Sequence, residues 1–148
     1  PVLLEAYDKA ISLHTTLYPG AREAVDRLRA FGYQTGICTN KPIHLAEKLL
    51  ADLDFYDVFD AVVGAGSLPV RKPDPAPFIA AVERCGGALE HSLLVGDTLT
   101  DRATSQAAGV PSLLVTFSPE GQAVSRWNPD GLLHHFDEIA AAVANLIG

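Results

Sequence analysis

The stretch SLLVGDTLTD, Ser92 to Asp101, sets the reading of the whole chain. Ser92 to Val95 is a short apolar run of strand length, and Gly96 ends it where the backbone must turn. Thr100 to Ala108 then has a helical pattern, stopped by Gly109, a residue suited to the left-handed conformation that closes helices. A strand, a turn bearing two carboxylates and a helix follow one another within eighteen residues. This is the repeating unit of a parallel α/β domain.

The unit recurs on both sides. Upstream, Ala21, Val25, Leu28 and Phe31 form a helical stripe that ends at Gly32, and Tyr33 to Cys38 reads as a buried strand. Thr39 to Pro42 reads as a polar turn, His44 to Leu53 as a helix, and Asp60 to Gly64 (DAVVG) as a second strand. A loop rich in Gly and Pro runs from Gly64 to Pro75, and Pro77 to Arg84 is helical up to Gly86-Gly87. Downstream, Ser112 to Phe117 is a further strand, and Phe136 to Ile147 closes the chain as an alanine-rich helix after a polar loop holding Trp127. Val2 to about Thr16, with Leu3, Leu4, Tyr7 and Ile11 ahead of Leu17, suits an amphipathic helix broken by Pro19-Gly20. The expected fold is therefore α/β, with a mainly parallel sheet and helices on both faces.

Composition narrows the function. The chain has 148 residues, 48% of them hydrophobic and 20% charged, which suits one globular domain. Eleven Lys and Arg against eighteen Asp and Glu give a net charge of −7, which argues against nucleic acid and anionic membranes as partners. No apolar run has the length of a membrane span, and PVLLEAYDKA lacks the order of a signal peptide. Cys38 and Cys85 read as two buried thiols of a reducing, cytoplasmic compartment.

In such sheets ligands bind at the carboxyl ends of the strands. Those ends deliver Thr39-Asn40-Lys41, then Arg71-Lys72-Pro73 through the loop after the second strand, then Asp97 with Asp101. Two carboxylates that leave water positions open suit magnesium, a hard cation that keeps several waters. Thr39 and the backbone after it can hold a phosphate oxygen, and Lys72, in RKPDP where two prolines stiffen the turn, can neutralise an anion. Each residue also has a plainer use. Asp97, Asp101 and Thr39 are all able to cap a helix, and Lys72 to lie solvated on the surface. The adjacent His134 and His135 point apart on a helix, and His14, His44 and His91 have no ligand-spaced neighbours.

Taken together, Thr39, Lys72, Asp97 and Asp101 at successive strand ends resemble the haloacid dehalogenase-like hydrolases, whose core is Rossmann-like. ICTNKP (Ile37 to Pro42) is similar to the family's second motif, RKPDP to its third and GDTLTD to its fourth, and YPG (Tyr18 to Gly20) and FDEI (Phe136 to Ile139) extend the likeness over nearly the whole chain. Within the family, PVRKPDP and PDGLLHHFDEI resemble bacterial phosphoglycolate phosphatases. The resemblance implies a Mg²⁺-dependent phosphatase acting on a small phosphorylated metabolite, with 2-phosphoglycolate the foremost substrate. It implies that Thr39 hydrogen-bonds the transferring phosphoryl group with the Asn40 backbone beside it, and that Lys72 neutralises the phosphoryl oxygens and the attacking carboxylate. It implies that Asp97 ligates Mg²⁺, and that Asp101 ligates it or holds its waters. The reaction would pass through an aspartyl phosphate, splitting one hard step into two.

The family's first motif, Asp-x-Asp on a central first strand, has no match. Asp52-Leu53-Asp54 follows a helix and reads as a decoy. The sheet is thus expected to lack its central first strand, residues 1–17 to be the last helix of a cap domain, and residues 18–148 to be the C-terminal portion of the core. The chain as it stands is expected not to turn over phosphate esters. Three rivals follow: a dehalogenase, a sugar-phosphate mutase, and a non-catalytic module that binds phosphate or a partner.

Overall fold

The computed structural model describes residues 2–5, 21–52, 54, 57–117 and 121–147. Eleven helices and strands carry the description. They are β1 (Val2–Glu5), α1 (Ala21–Ala30), β2 (Gln34–Pro42), α2 (Ile43–Asp52), β3 (Ala61–Ala65), α3 (Ala76–Arg84), β4 (Ser92–Gly96), α4 (Leu99–Ala108), β5 (Ser112–Val115), β6 (Gly131–Leu133) and α5 (Ile139–Ile147). The strands form one six-stranded sheet in the order β3-β2-β1-β4-β5-β6. Every neighbouring pair is parallel.

Strand alternation divides the core between the two faces of this sheet. Ile37 of β2 and Leu93 and Val95 of β4 pack with Val25 and Leu28 of α1, Leu50 of α2, and Ile139 and Val143 of α5. Cys38 and Leu94, the intervening residues, pack on the other side with Phe78, Ala81 and Val82 of α3. Phe78, Leu93 and Leu94 are wholly buried. Each contributes about 1.5–3 kcal/mol relative to exposure, which anchors β4 and α3. Among the described residues no helix is long and apolar enough to cross a membrane.

The central position of the sheet is filled, contrary to the sequence-based expectation. Val2–Glu5, assigned there to a helix, forms β1, with Val2 opposite Gln34 of β2 and Ser92 of β4. The physical reason is the pairing potential of two strand edges. Without β1, β2 and β4 would face each other across a gap with unpaired backbone groups, a costly state that a short extended segment relieves. Residues 6–17 of the expected cap helix lie outside the described residues, as do residues 118–120 of the expected polar loop.

Three smaller differences follow from tertiary pairing. Thr39 to Pro42 continues β2 instead of turning, at the cost of a register shift against β3 between Cys38 and Pro42. Phe136–Glu138 is a separate 3-10 turn ahead of α5, and Gly121–Trp127 is 3-10 helix within the expected loop. Gly64, within β3, lies so close to the β2–α2 corner that an added β-carbon would be 2.8 Å from Lys41 O and Ile43 Cα.

Candidate active site

Thr39 and Asn40 lie near the C-terminal end of β2, and Asp97 directly follows β4. These strands flank β1, so their ends stand two inter-strand spacings apart, roughly 10 Å. Thr39 is buried, and its hydroxyl accepts a hydrogen bond from Lys41 N at 3.1 Å. That contact fixes the oxygen at the strand end. Lys72 comes from the β3–α3 loop, yet it is only 5% exposed. The expectation of a solvated lysine is excluded by this burial.

Lys72 Nζ donates to Asp101 Oδ1 at 2.8 Å, and the two side chains are 3% and 2% exposed. Asp101 Oδ2 accepts from Asp97 N at 3.0 Å, Thr98 N at 3.2 Å and Thr98 Oγ1 at 2.9 Å. Thr98 is the N-cap of α4 and accepts in turn from Asp101 N, so the pair forms a reciprocal capping box. Of the two uses open to Asp101, the helix cap is the one seen: one oxygen closes α4, and the other meets the lysine. The Thr-x-x-Asp spacing of Thr98 and Asp101 was the signal for this box, and it brings Thr98 into the site.

Gly96 has a different role from the sharp turn expected of it. A β-carbon there would lie 2.5 Å from Asp101 Cβ and Cγ. The missing side chain is the space into which Asp101 leans. Asp97, 2% exposed, stands beside this arrangement.

Asn40 enters the site by its side chain. Its Nδ2 donates to Lys72 O at 3.0 Å, and its Oδ1 accepts from Lys72 N at 3.0 Å. The Lys72–Pro73 peptide bond is cis. Thus all five residues named from the sequence are joined at one sheet edge. Asn40 is bonded to Lys72, Lys72 to Asp101 and Asp101 to Asp97, while Thr39 precedes Asn40 on β2.

Among the described residues no group of three or more His, Cys, Asp and Glu is placed to hold a metal ion. Asp97 and Asp101 are the carboxylates at this edge that could share one with waters and substrate oxygens. Magnesium suits such a partial set because it retains waters and takes substrate oxygens. Asp101 is already engaged by four hydrogen bonds.

The other sequence candidates fall elsewhere. Asp52 is the last residue of α2 and pairs with Lys48 at 3.5 Å, in keeping with a decoy. His134 Nδ1 lies 2.9 Å from Thr116 Oγ1, and His135 caps the turn before α5. Cys38 and Cys85 are buried thiols in no disulfide, as expected. Burial pushes the Cys85 thiol up to about 11; Asp60 adds to this and Arg29 opposes it.

Comparison with known proteins agrees with this geometry. A model of the haloacid dehalogenase-like hydrolases matches residues 2–109. A phosphoglycolate phosphatase of Cereibacter sphaeroides is 39% identical over 133 residues, covering 90% of this chain and 60% of the relative. One of Rhodospirillum rubrum is 40% identical over 126 residues, covering 85% of this chain and 51% of the relative. The chain thus spans less than two thirds of the curated relatives it matches. A solved structure from Haemophilus somnus, described as a predicted phosphoglycolate phosphatase, superposes with a TM-score of 0.77 at 29% identity, over 85% of this chain and 56% of that one.

Proposed function

Because the chain belongs to the haloacid dehalogenase-like hydrolases, we propose that it carries the phosphoryl-binding edge of a magnesium-dependent phosphatase acting on a small phosphomonoester. The observation that supports this best is the buried Lys72–Asp101 pair beside Asp97, with Thr39 across the end of β1. A cation withdrawn from water and held at this edge is placed to meet an anion. Of substrates, 2-phosphoglycolate is the one to test first, since the curated relatives are named for it.

In this reading Thr39 donates its hydroxyl proton to a phosphoryl oxygen, and the backbone at Asn40 adds a second donor. Lys72 places a cation against the phosphoryl oxygens without needing to reorganise, because Asp101 already holds its ammonium. Bound magnesium would neutralise charge on the phosphoryl group, with Asp97 as its ligand and Asp101 ordering the donors around it. The attacking carboxylate is assigned to none of these 148 residues, since the family's first motif, Asp-x-Asp on a first strand, has no match in them. Two thiols in no disulfide favour a reducing compartment, which we take to be the cytoplasm.

The test is an assay of the complete natural gene product and of this chain on 2-phosphoglycolate, with Mg²⁺ or with EDTA. The complete protein is expected to release phosphate only with Mg²⁺, and Lys72→Ala to slow it about a hundredfold or more. This chain alone is expected to release none. Release of halide from 2-haloacids without metal would make the protein a dehalogenase, and an isomeric sugar phosphate as product would make it a mutase. Calorimetric binding of Mg²⁺ and phosphate without turnover by the complete protein would identify a non-catalytic module.

A further inference from the structure

We propose that Asn40 is a positioning residue, whose side-chain amide fixes the Lys72 peptide and, through it, the ammonium that meets Asp101. The purpose of that cation rests on the phosphatase reading above; the fixing itself is a property of the chain and is testable without it.

Lys72 sits in the loop between β3 and α3, outside the strands of the sheet. A lysine side chain is long and rich in rotamers, so its head group is only as well placed as the backbone that bears it. Asn40 meets that backbone at two points, since one amide donates to Lys72 O and accepts from Lys72 N, each at 3.0 Å. Two parallel bonds to one residue fix its orientation as well as its position, as a strand partner would.

Residue chemistry narrows the choice at position 40. Aspartate keeps the acceptor but loses the donor, and sets a negative oxygen against the Lys72 carbonyl. Alanine loses both bonds, and glutamine carries its amide one methylene too far for the same two contacts. Asn40 also follows Thr39 on β2. One strand end therefore bears the hydroxyl for the phosphoryl group and the amide that holds the lysine. The separation between hydroxyl and ammonium is built into β2, whatever the rest of the β3–α3 loop does.

The test uses Asn40→Ala, Asn40→Asp and Asn40→Ser in this chain, with circular dichroism and thermal melting to select folded variants. Lys72 is followed by hydrogen exchange at its amide and by acylation of its ammonium with a succinimidyl ester, both read by mass spectrometry of the peptide that contains it. In Asn40→Ala both rates are expected to rise about tenfold relative to the parent, the loss of roughly one to two net hydrogen bonds. Asn40→Asp should fall between, and exposed Lys48 should not change. Unchanged Lys72 rates in a folded variant would overturn the proposal.

A second arm measures inorganic phosphate affinity for the parent, Asn40→Ala, Lys72→Ala and the double variant. If Asn40 acts through Lys72, its effect disappears once Lys72 is gone. An equal effect of Asn40→Ala in both backgrounds would overturn the inference. If the parent chain binds no phosphate but the Lys72 rates rise in Asn40→Ala, the phosphatase reading is what fails and the positioning role stands.

Discussion

Residue 96 shows how little room the site leaves. Asp101 occupies the volume that a β-carbon at this position would take, and it cannot retreat without surrendering contacts to Asp97 N, Thr98 and Lys72. Gly96→Ala is therefore expected to destabilise the chain by about 1–3 kcal/mol, measured by urea unfolding, and to free Lys72 for acylation. An alanine variant as stable as the parent would contradict the crowding. Cys85 gives a second residue-scale prediction. Its thiol is held protonated up to about 11 by burial first and by Asp60 second, with Arg29 opposing. The folded chain keeps a proton that the unfolded chain releases, so its stability is intact below the ordinary thiol range and declines as pH rises towards 11. Iodoacetamide should accordingly label Cys85 slowly at pH 8 in the folded chain and rapidly in urea, and equal rates in both would show an accessible thiol. That these residues meet at one edge was legible because each ends a readable strand or follows one. The side-chain contact of Asn40 with Lys72 was not, because a pair separated by a whole β–α–β unit leaves no local pattern.

At the scale of elements, the start of α4 has the most to do. Thr98 caps the helix and orients Asp101 through one hydroxyl, which both donates and accepts. Thr98→Ala should cost about 1 kcal/mol in urea unfolding and Thr98→Ser much less, since serine restores the hydroxyl. Equal losses in the two variants would mean that the methyl group, not the cap, is what matters. Arg102 ties the same helix to the far end of the sheet, with Nε to Trp127 O at 3.2 Å and Nη1 to Ser112 Oγ at 3.1 Å. The elements around the site were read well from periodicity, as β4 with its glycine and α4 with its Gly109 stop illustrate. β1 was not. Leu3, Leu4, Tyr7 and Ile11 satisfy a helical spacing, and the two strands that draw Val2–Glu5 into the sheet are far off in sequence. The three-residue β6 is too short to show a period at all.

For the molecule as a whole, charge and site oppose each other. The chain carries a net charge of −7, while the cation assigned to the phosphoryl group is 5% exposed and faces a carboxylate. An incoming dianion is thus repelled at long range and attracted only on arrival. Dissolved ions shorten the first effect, with a screening length of about 10 Å at 0.1 M and about 3 Å at 1 M, and barely reach the second. Raising ionic strength with a weakly binding salt should therefore quicken the capture of phosphate by this chain, the reverse of the behaviour of a nucleic-acid binder. Stopped-flow association rates across a chloride series would show it, and a rate that falls with salt would mean that the anion is drawn in by exposed lysines instead. Because counterions cannot enter between Lys72 and Asp101, the docking geometry itself should be the same in dilute buffer and in brine.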